Sequence, residues 1–419
     1  MKFKSIKGTK DILPDETRLW QLVEQNIRET MELFNYKEIR TPVFEETSLF
    51  ARSIGELTDI VGKEMYSFTD RSGDSLTLKP EMTASVIRAY IQHNLGEKLP
   101  LTKVYYISPA FRQERPQAGR LRQFHQFGAE AIGGSNPEID AEIIALSAAI
   151  YKKFGIQEFQ VKINSVGCPV CRNEYKEKLK EHLTKVSDKL SIESQKRLET
   201  NPMRILDSKD ENDTILTHDA PLMMHNLCDE CKNHFEKLQE ALNILGIQYV
   251  VDGRIVRGLD YYTKTAYEIT SDELGSQNAL VGGGRYDLLV KELGGKSTPA
   301  VGFAAGMERL LMVLEKRENM KTDTQHPKLF IASADELSYK KVLSEAARMR
   351  DAGIACEIDW LRRSLKAQMR EADRQQADFV VVIGEEEIKT NTVVLKEMKS
   401  GNQNKLSFVE LVNFLTAKK

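Results

Sequence analysis

Arg257-Gly258-Leu259-Asp260-Tyr261-Tyr262-Thr263 gathers a permanent cation, two phenols and a hydroxyl in one short segment, just after the Gly-containing turn Val251-Asp252-Gly253. Arginine keeps its charge at any accessible pH and grips carboxylate or phosphate through a rigid fork of donors. A tyrosine pair gives aromatic walls with polar tips, which suits a small polar ligand. By itself the segment also reads as an exposed turn followed by a strand. Its company argues otherwise: Phe111-Arg112-Gln113-Glu114-Arg115 lies upstream and a Gly-rich segment ending in Glu308-Arg309 lies downstream. Three separated cationic elements point to a polyanion such as a nucleoside triphosphate.

A second constellation is Cys168-Pro169-Val170-Cys171 with Cys228-Asp229-Glu230-Cys231. Two Cys-Xaa-Xaa-Cys turns match tetrahedral thiolate ligation of a structural Zn²⁺, and Pro169 suits a tight knuckle. The 56 residues between them exceed the usual ribbon spacing, so four merely local thiols are the alternative. Cys356, alone in an expected strand, reads as core. Gly295-Lys296-Ser297 is not the end of a P-loop, because Val290 stands where that motif needs glycine. Gly282-Gly283-Gly284 lacks a dinucleotide fingerprint and reads as a tight turn before Arg285-Tyr286-Asp287.

These residues need a frame. Leu19, Val23, Ile27 and Met31 make an apolar stripe on a helix over 15–34, and residues 36–44 read as a strand that Pro42 confines to an edge or breaks. Leu76-Thr77-Leu78 runs through Lys79-Pro80-Glu81 into a helix over 83–95. Val104–Ile107 and Phe124–Ile132 read as antiparallel strands joined by the basic turn 112–122, followed by a helix over 137–154. A Lys/Glu-rich helical run over 172–199 marks an insertion between Val161–Asn164 and strands around 249–269. A helix over 302–317 closes the main body, and a polar linker spans 321–327. Beyond it, strands at 329–333, 354–358 and 378–383 alternate with helices at 338–352 and 364–376, a βαβαβ pattern that favours a parallel sheet. From Pro327 this part carries 16 basic and 14 acidic residues, a balance of +2, with Arg363, Lys366, Arg370 and Arg374 expected on one helical face.

The 419 residues can bury a large core and divide into two or three domains. With 60 Lys and Arg against 62 Asp and Glu, there is no global nucleic-acid signature, so RNA contact has to rest on local patches. The N-terminus is charged from Lys2 onward without the apolar core of a signal peptide, and no apolar run could span a bilayer. The paired cysteines fit an intracellular metal site better than a secreted disulfide framework. The reading is a soluble cytoplasmic protein.

The chain resembles the histidyl-tRNA synthetases, members of the class II aminoacyl-tRNA synthetases, from Gly8-Thr9-Lys10-Asp11 to its C-terminal domain. Ile39-Arg40-Thr41-Pro42-Val43-Phe44-Glu45 is similar to the first class motif, residues 111–126 to the second, and Val301-Gly302-Phe303-Ala304-Ala305-Gly306-Met307-Glu308-Arg309-Leu310 to the third. Arg257 to Thr263 resembles the segment that separates the histidine enzymes from the other members. The resemblance implies an α/β protein. An α+β catalytic domain (1–325) with an antiparallel sheet flanked by helices is interrupted by a helical insertion (168–235), and an α/β anticodon-binding domain (326–419) follows. It implies a homodimer, with the first motif at its interface. It also implies that L-histidine attacks the α-phosphate of ATP to give histidyl-adenylate, and that the 3′ end of tRNA(His) then takes the histidyl group.

The resemblance assigns roles residue by residue. Arg112 matches the α-phosphate clamp, and Arg257 the group that reaches both the histidine carboxylate and the α-phosphate. Attack by one anion on another needs such cations preorganised around it. Arg309, Phe124, Glu114 and Arg120 match nucleotide contacts, with Mg²⁺ bridging phosphate oxygens. Glu81, Thr83 and Gln126 match α-amino contacts; Glu130 and Tyr262 match imidazole contacts, with Tyr261 beside them. Met82 stands where many bacterial relatives carry glycine, adding bulk where the backbone could otherwise approach the ligand. His125 reads as a packed histidine without chemistry. Two rivals are a synthetase-like regulatory subunit of histidine biosynthesis, which typically lacks the C-terminal domain and has eroded signature residues, and a pure RNA-binding module, which needs no three nucleotide-clamping arginines.

Overall fold

A computed structural model of the chain describes residues 3–55, 60–117, 119–208, 210–273, 278–317 and 326–418. Lys2, Ala118 and residues 321–325 of the expected linker lie outside the described residues. The chain divides into two compact units, Met1–Lys321 and Thr322–Lys419.

The first unit is organised by an eight-stranded sheet. Its order is Lys37–Glu38, Thr102–Phe111, Gln123–Ile132, Ala300–Gly306, Ala279–Arg285, Thr263–Thr270, Gln160–Ser165, Tyr249–Val251. Only the two outermost pairings are parallel; the six inner strands are antiparallel. Strand side chains alternate between faces. On one face Phe127, Ala129, Ala131, Val301, Phe303, Tyr267 and Ile269 pack beneath the helices Pro14–Leu33, Pro137–Lys153, Asp229–Ile244 and Met307–Glu315. The helices contribute Val23, Ile27, Ile144, Ile150, Leu238, Leu242, Leu310 and Leu314, all fully buried. Cutting any one of these aliphatics to alanine typically costs about 2–4 kcal/mol. The opposite face carries Gln126, Gly128, Glu130, Gly302, Ala304, Glu268 and Gly282 at the alternate positions, and the chemistry sits there.

Several expectations need correction. Gly282-Gly283-Gly284 is not a turn but the middle of the Ala279–Arg285 strand. A Cβ at Gly283 would come within 2.6 Å of the Gly302 carbonyl oxygen, so these glycines serve close packing inside the sheet. Residues 302–306 are strand rather than helix, and the helix begins at Met307. The break that Pro42 leads one to expect in the strand over 36–44 is present: Lys37–Glu38 is an edge strand of the large sheet, whereas Phe44–Glu46 pairs with Ser75–Leu78 in a separate three-stranded sheet. The helical run over 172–199 is also interrupted, into Pro169–Thr184 and Ile192–Thr200. Asp213 draws the Ser191 backbone N–H at 2.8 Å and both serine hydroxyls of Ser191 and Ser194, which fixes the turn between the two helices. The Asp229–Ile244 helix continues through residue 235, and its Phe235, Leu238 and Leu242 join the main core.

The second unit has a five-stranded sheet in the order Cys356–Ile358, Leu329–Ser333, Phe379–Ile383, Thr392–Glu397, Gln403–Ser407. Leu329 and Ile331 face Val342, Ala346, Phe408 and Leu411 of two helices, while Phe330 and Ala332 face Ala372 of the third. The sheet is mixed, not parallel: its last two strands are antiparallel. The cationic face is also less open than expected. Arg363 precedes the Leu365–Arg374 helix and donates to Asp359 at 2.7 Å, and Arg374 is held by Glu371 at 2.6 Å. Among the described residues no helix is long and apolar enough to cross a membrane.

Candidate active site

Small residues on the site face of the central strands leave a cavity of about 550 Å³, floored by Gly282, Gly302, Ala304 and Gly306. Arg112, Arg120, Arg257 and Arg309 all line it, brought from the loop after Thr102–Phe111, from the segment ahead of Thr263–Thr270 and from the Met307–Glu315 helix. Arg112 donates from Nε to the Pro80 carbonyl at 2.9 Å and lies over the Phe124 ring, 5.3 Å from its centre. Arg309 donates to the Ala279 carbonyl at 2.7 Å. Burial first, and then the cations Arg120 and Arg112, hold Arg309 below its ordinary pKa, although Glu114 pulls it back. Glu114 pairs only loosely, at 3.7 Å from Arg112 and 3.4 Å from Arg120. Arg112, Arg120 and Arg309 thus gather around Glu114 on the cavity lining.

The other end is aromatic and acidic. Tyr261 and Tyr262 have ring centres 4.7 Å apart, and Tyr286 closes on Tyr261 edge-on at 5.6 Å. Glu81 sits at the start of the Thr83–Gln92 helix, where the N–H groups of Thr83 and Ala84 donate to its carboxylate at 2.6 and 2.9 Å. Burial raises its pKa, and those N–H groups and Arg112 oppose the rise. Gln126 Oε1 and Arg257 Nε are buried without a hydrogen-bonding partner. Such orphaned groups cost stability unless a ligand completes them.

Of the residues singled out from sequence, Glu81, Thr83, Gln126, Arg257, Tyr261, Tyr262, Arg112, Glu114, Arg120, Phe124 and Arg309 line this one cavity. Two are set behind it. Met82 is buried with φ −104°, a backbone open to any residue, so no glycine is required there. Glu130 is fully buried beneath the wall: Thr83 Oγ1 donates to it at 2.8 Å, and Tyr106 and Tyr286 hydroxyls donate as well. Burial pushes its carboxyl up to about 8 despite these donors. A Cβ at Gly302 would fall 1.6 Å from Glu130 Oε2, and that glycine is what admits the carboxyl. His125 lies outside the cavity, 3.0 Å from Glu308 and edge-on to Trp20.

The sequence reading missed Glu268 and Tyr286. Glu268 pairs with Arg257 on the cavity lining and stands as a lone acid in the apolar run Ala266-Tyr267-Glu268-Ile269. Tyr286 follows the glycine strand directly and carries no sequence pattern of its own. Elsewhere, the four sulfur atoms of Cys168, Cys171, Cys228 and Cys231 all lie within 4.8 Å of one another.

The geometry finds its counterpart among known proteins. Residues 8–310 match the family model of histidyl-tRNA synthetase, and residues 328–418 that of an anticodon-binding domain. A histidine–tRNA ligase of Caldanaerobacter subterraneus is 49% identical over 98% of this chain and 99% of its own length. One from Chloroherpeton thalassium is 50% identical over 98% and 97%. The crystal structure of apo Staphylococcus aureus histidyl-tRNA synthetase superposes with a TM-score of 0.83 at 38% identity, covering 99% of this chain and all of that one. A Bacillus halodurans protein described as an ATP phosphoribosyltransferase regulatory subunit/histidyl-tRNA synthetase shares the fold alone, at 23% identity and a TM-score of 0.65. With both family models matched in order and near-half identity along the whole length, the chain belongs to the histidyl-tRNA synthetases.

Proposed function

We propose that the cavity activates L-histidine with ATP and passes the histidyl group to the 3′ end of tRNA(His). The observation that carries this is the convergence of Arg112, Arg120, Arg257 and Arg309, an acid at a helix N-terminus and two unpartnered polar groups on one cavity. The histidine carboxylate attacks the α-phosphorus, the bond to the β-phosphate oxygen breaks, and pyrophosphate leaves with that electron pair. Arg112 and Arg257 hold the charge that builds on the α-phosphate, and Arg257, released from Glu268, also orients the carboxylate. Arg309 and Phe124 flank the adenine, with Arg120 and Glu114 on the triphosphate side. A tRNA 3′ hydroxyl then attacks the carbonyl carbon, loses its proton, and AMP departs.

For the amino acid, Glu81, Thr83 and Gln126 take the α-ammonium. Tyr262 contacts the imidazole with Tyr261 alongside, and Glu130 sets the polarity of that wall through Thr83 and Tyr286. Glu114, whose carboxylate makes only loose ion pairs, is the cavity acid suited to an ATP-bound Mg²⁺, which would neutralise phosphate charge and keep several waters. Cys168, Cys171, Cys228 and Cys231 hold a structural Zn²⁺. The active form is a homodimer: Val43, Phe44 and Phe68, each about half exposed around the small sheet, supply an apolar face for a second copy.

ATP–pyrophosphate exchange measured with each of the twenty amino acids tests the reading. Exchange is expected with histidine alone. Its absence with histidine would favour the regulatory-subunit alternative.

A further inference from the structure

The two Cys-Xaa-Xaa-Cys turns are built alike. Cys168 immediately precedes the Pro169–Thr184 helix and Cys228 immediately precedes Asp229–Ile244; Cys171 and Cys231 are the third residues of those helices. The Cys168 N–H reaches Cys171 Sγ at 3.2 Å. Sulfur–sulfur distances are 3.6 Å for Cys168–Cys171 and 3.8 Å for both Cys168–Cys228 and Cys171–Cys231. Four sulfurs placed tetrahedrally about 2.3 Å from a zinc ion stand about 3.8 Å apart. A disulfide would need about 2.05 Å.

What these turns hold is the segment that carries the tyrosine wall. Val166 N–H donates to the Lys264 carbonyl at 2.7 Å and Lys264 N–H to the Gly167 carbonyl at 2.9 Å, a two-bond clip onto the strand end leading to Cys168. Arg172, one residue past Cys171, donates to the Tyr262 carbonyl and at 3.3 Å to that of Val166. From the other turn, Glu230 accepts from Lys264 Nζ at 2.8 Å. Lys264 has φ +49°, a left-handed backbone that a non-glycine residue keeps only when its surroundings impose it. Each Cys turn therefore contributes one grip on Tyr262–Lys264, and the link between the turns fixes one grip relative to the other.

We propose that a Zn²⁺ bound by Cys168, Cys171, Cys228 and Cys231 positions the Tyr261-Tyr262 wall, so that losing the metal weakens histidine use and spares ATP use. This rests on the reading of the cavity as a histidine and ATP site. Arg172, Glu230 and Lys264 are then positioning residues, and the metal takes no part in the reaction.

Metal content of the full-length chain purified without chelator is the first measurement, with about one zinc per chain expected for a four-thiolate site. A chain with no zinc that also fails to bind added zinc overturns the proposal. Cobalt exchanged into the site should give the intense visible bands of tetrahedral thiolate coordination. Next, pyrophosphate exchange is followed against histidine and against ATP for the replete, stripped and zinc-restored protein. Stripping should raise the histidine KM about 10- to 100-fold, the effect of a misplaced positioning group, reversibly and with the ATP KM within about twofold. Lys264→Met keeps the thiolates and cuts the Glu230 grip, so it should retain zinc and show part of the same rise. Hydrogen exchange of the 257–264 peptide should quicken on stripping while peptides of the Pro14–Leu33 helix do not change. Unchanged histidine KM and unchanged 257–264 exchange after stripping overturn the positioning role, as does an equal rise in both KM values. Absent histidine-dependent exchange in the replete protein is instead a failure of the functional reading, and hydrogen exchange still decides the coupling.

Discussion

Gly282→Ala should disable the enzyme without unfolding it, by moving Arg257 rather than removing it. A Cβ on Gly282 would lie 2.0 Å from Arg257 Nη2, 2.7 Å from Cζ and 2.9 Å from Nη1. Carbon contacts settle at about 3.5–4.0 Å, so the guanidinium has to retreat by roughly 1.5 Å. It is the free end of a long side chain and can do so, which leaves the strand in register at a cost of about 1 kcal/mol. The retreat breaks the pairing with Glu268 and moves the charge from its place over Gly282. A displacement of about 1 Å in a positioning group costs on the order of 10²-fold. We expect kcat/KM for histidine in pyrophosphate exchange to fall about 10²-fold, equivalent to about 2.7 kcal/mol, with Tm lowered by only about 1–2 °C. Gly283→Ala is the contrast. Its Cβ meets the Gly302 carbonyl oxygen at 2.6 Å and the Tyr267 ring at 2.5 Å, neighbours in the packed sheet that cannot withdraw, and the fold itself should weaken. Exchange within threefold of the parent in a folded Gly282→Ala protein would refute the reasoning, and so would a Gly282→Ala protein less stable than Gly283→Ala.

Arg257→Ala should lower adenylate formation by about 10²–10³ or more with the fold intact, and Arg257→Lys should recover little, because a point charge cannot span carboxylate and phosphate together; near-normal exchange in the alanine variant removes Arg257 from the mechanism. Deleting residues 326–419 should spare much of the exchange reaction and sharply reduce tRNA charging, and unchanged charging would remove tRNA recognition from that unit. Burial lifts Glu130 from an ordinary 4.5 to about 8, so folding favours its protonated form: the stability it contributes is present below about pH 4.5 and is lost as pH rises toward 8. Glu130→Gln should therefore gain in Tm relative to the parent between pH 5 and 8 while its histidine KM rises, and parallel Tm curves over that range would show that Glu130 is not held protonated.

The frame was legible wherever one face of an element is apolar. The stripe Val23, Ile27, Met31 and the alternation through Phe127, Ala129 and Ala131 announce a helix and a strand, and both form where expected. Legibility failed where the decisive feature is what a residue lacks. Gly282-Gly283-Gly284 carries a strong turn signal, yet three missing side chains also allow a strand to run against Arg257 and the Tyr267 ring. Gly302, Ala304 and Gly306 are too small to show the alternation of a strand, and their antiparallel partners at Glu130, Gly128 and Gln126 decide for one. In the second unit the hairpin Thr392–Glu397 and Gln403–Ser407 was overlooked because Gln403, Asn404 and Lys405 are exposed and offer no alternation.

The site divides along the same line. Its arginines were legible because a charge has few reasons to recur beside glycine and aromatic residues, and Arg112, Arg257 and Arg309 do meet on one cavity. Partner choice was not legible. Gln126, Gly128 and Glu130 share a face by strand periodicity, which predicts a carboxylate pointing into the ligand. Yet Gly302 on the neighbouring strand opens a recess into which that carboxylate sinks, and Thr83, Tyr106 and Tyr286 close over it. Those three donors come from a helix, another strand and the segment after the glycine strand, between 24 and 156 residues away. A local pattern can fix the face on which Glu130 stands, but its depth and protonation are set by side chains that only the assembled sheet brings together.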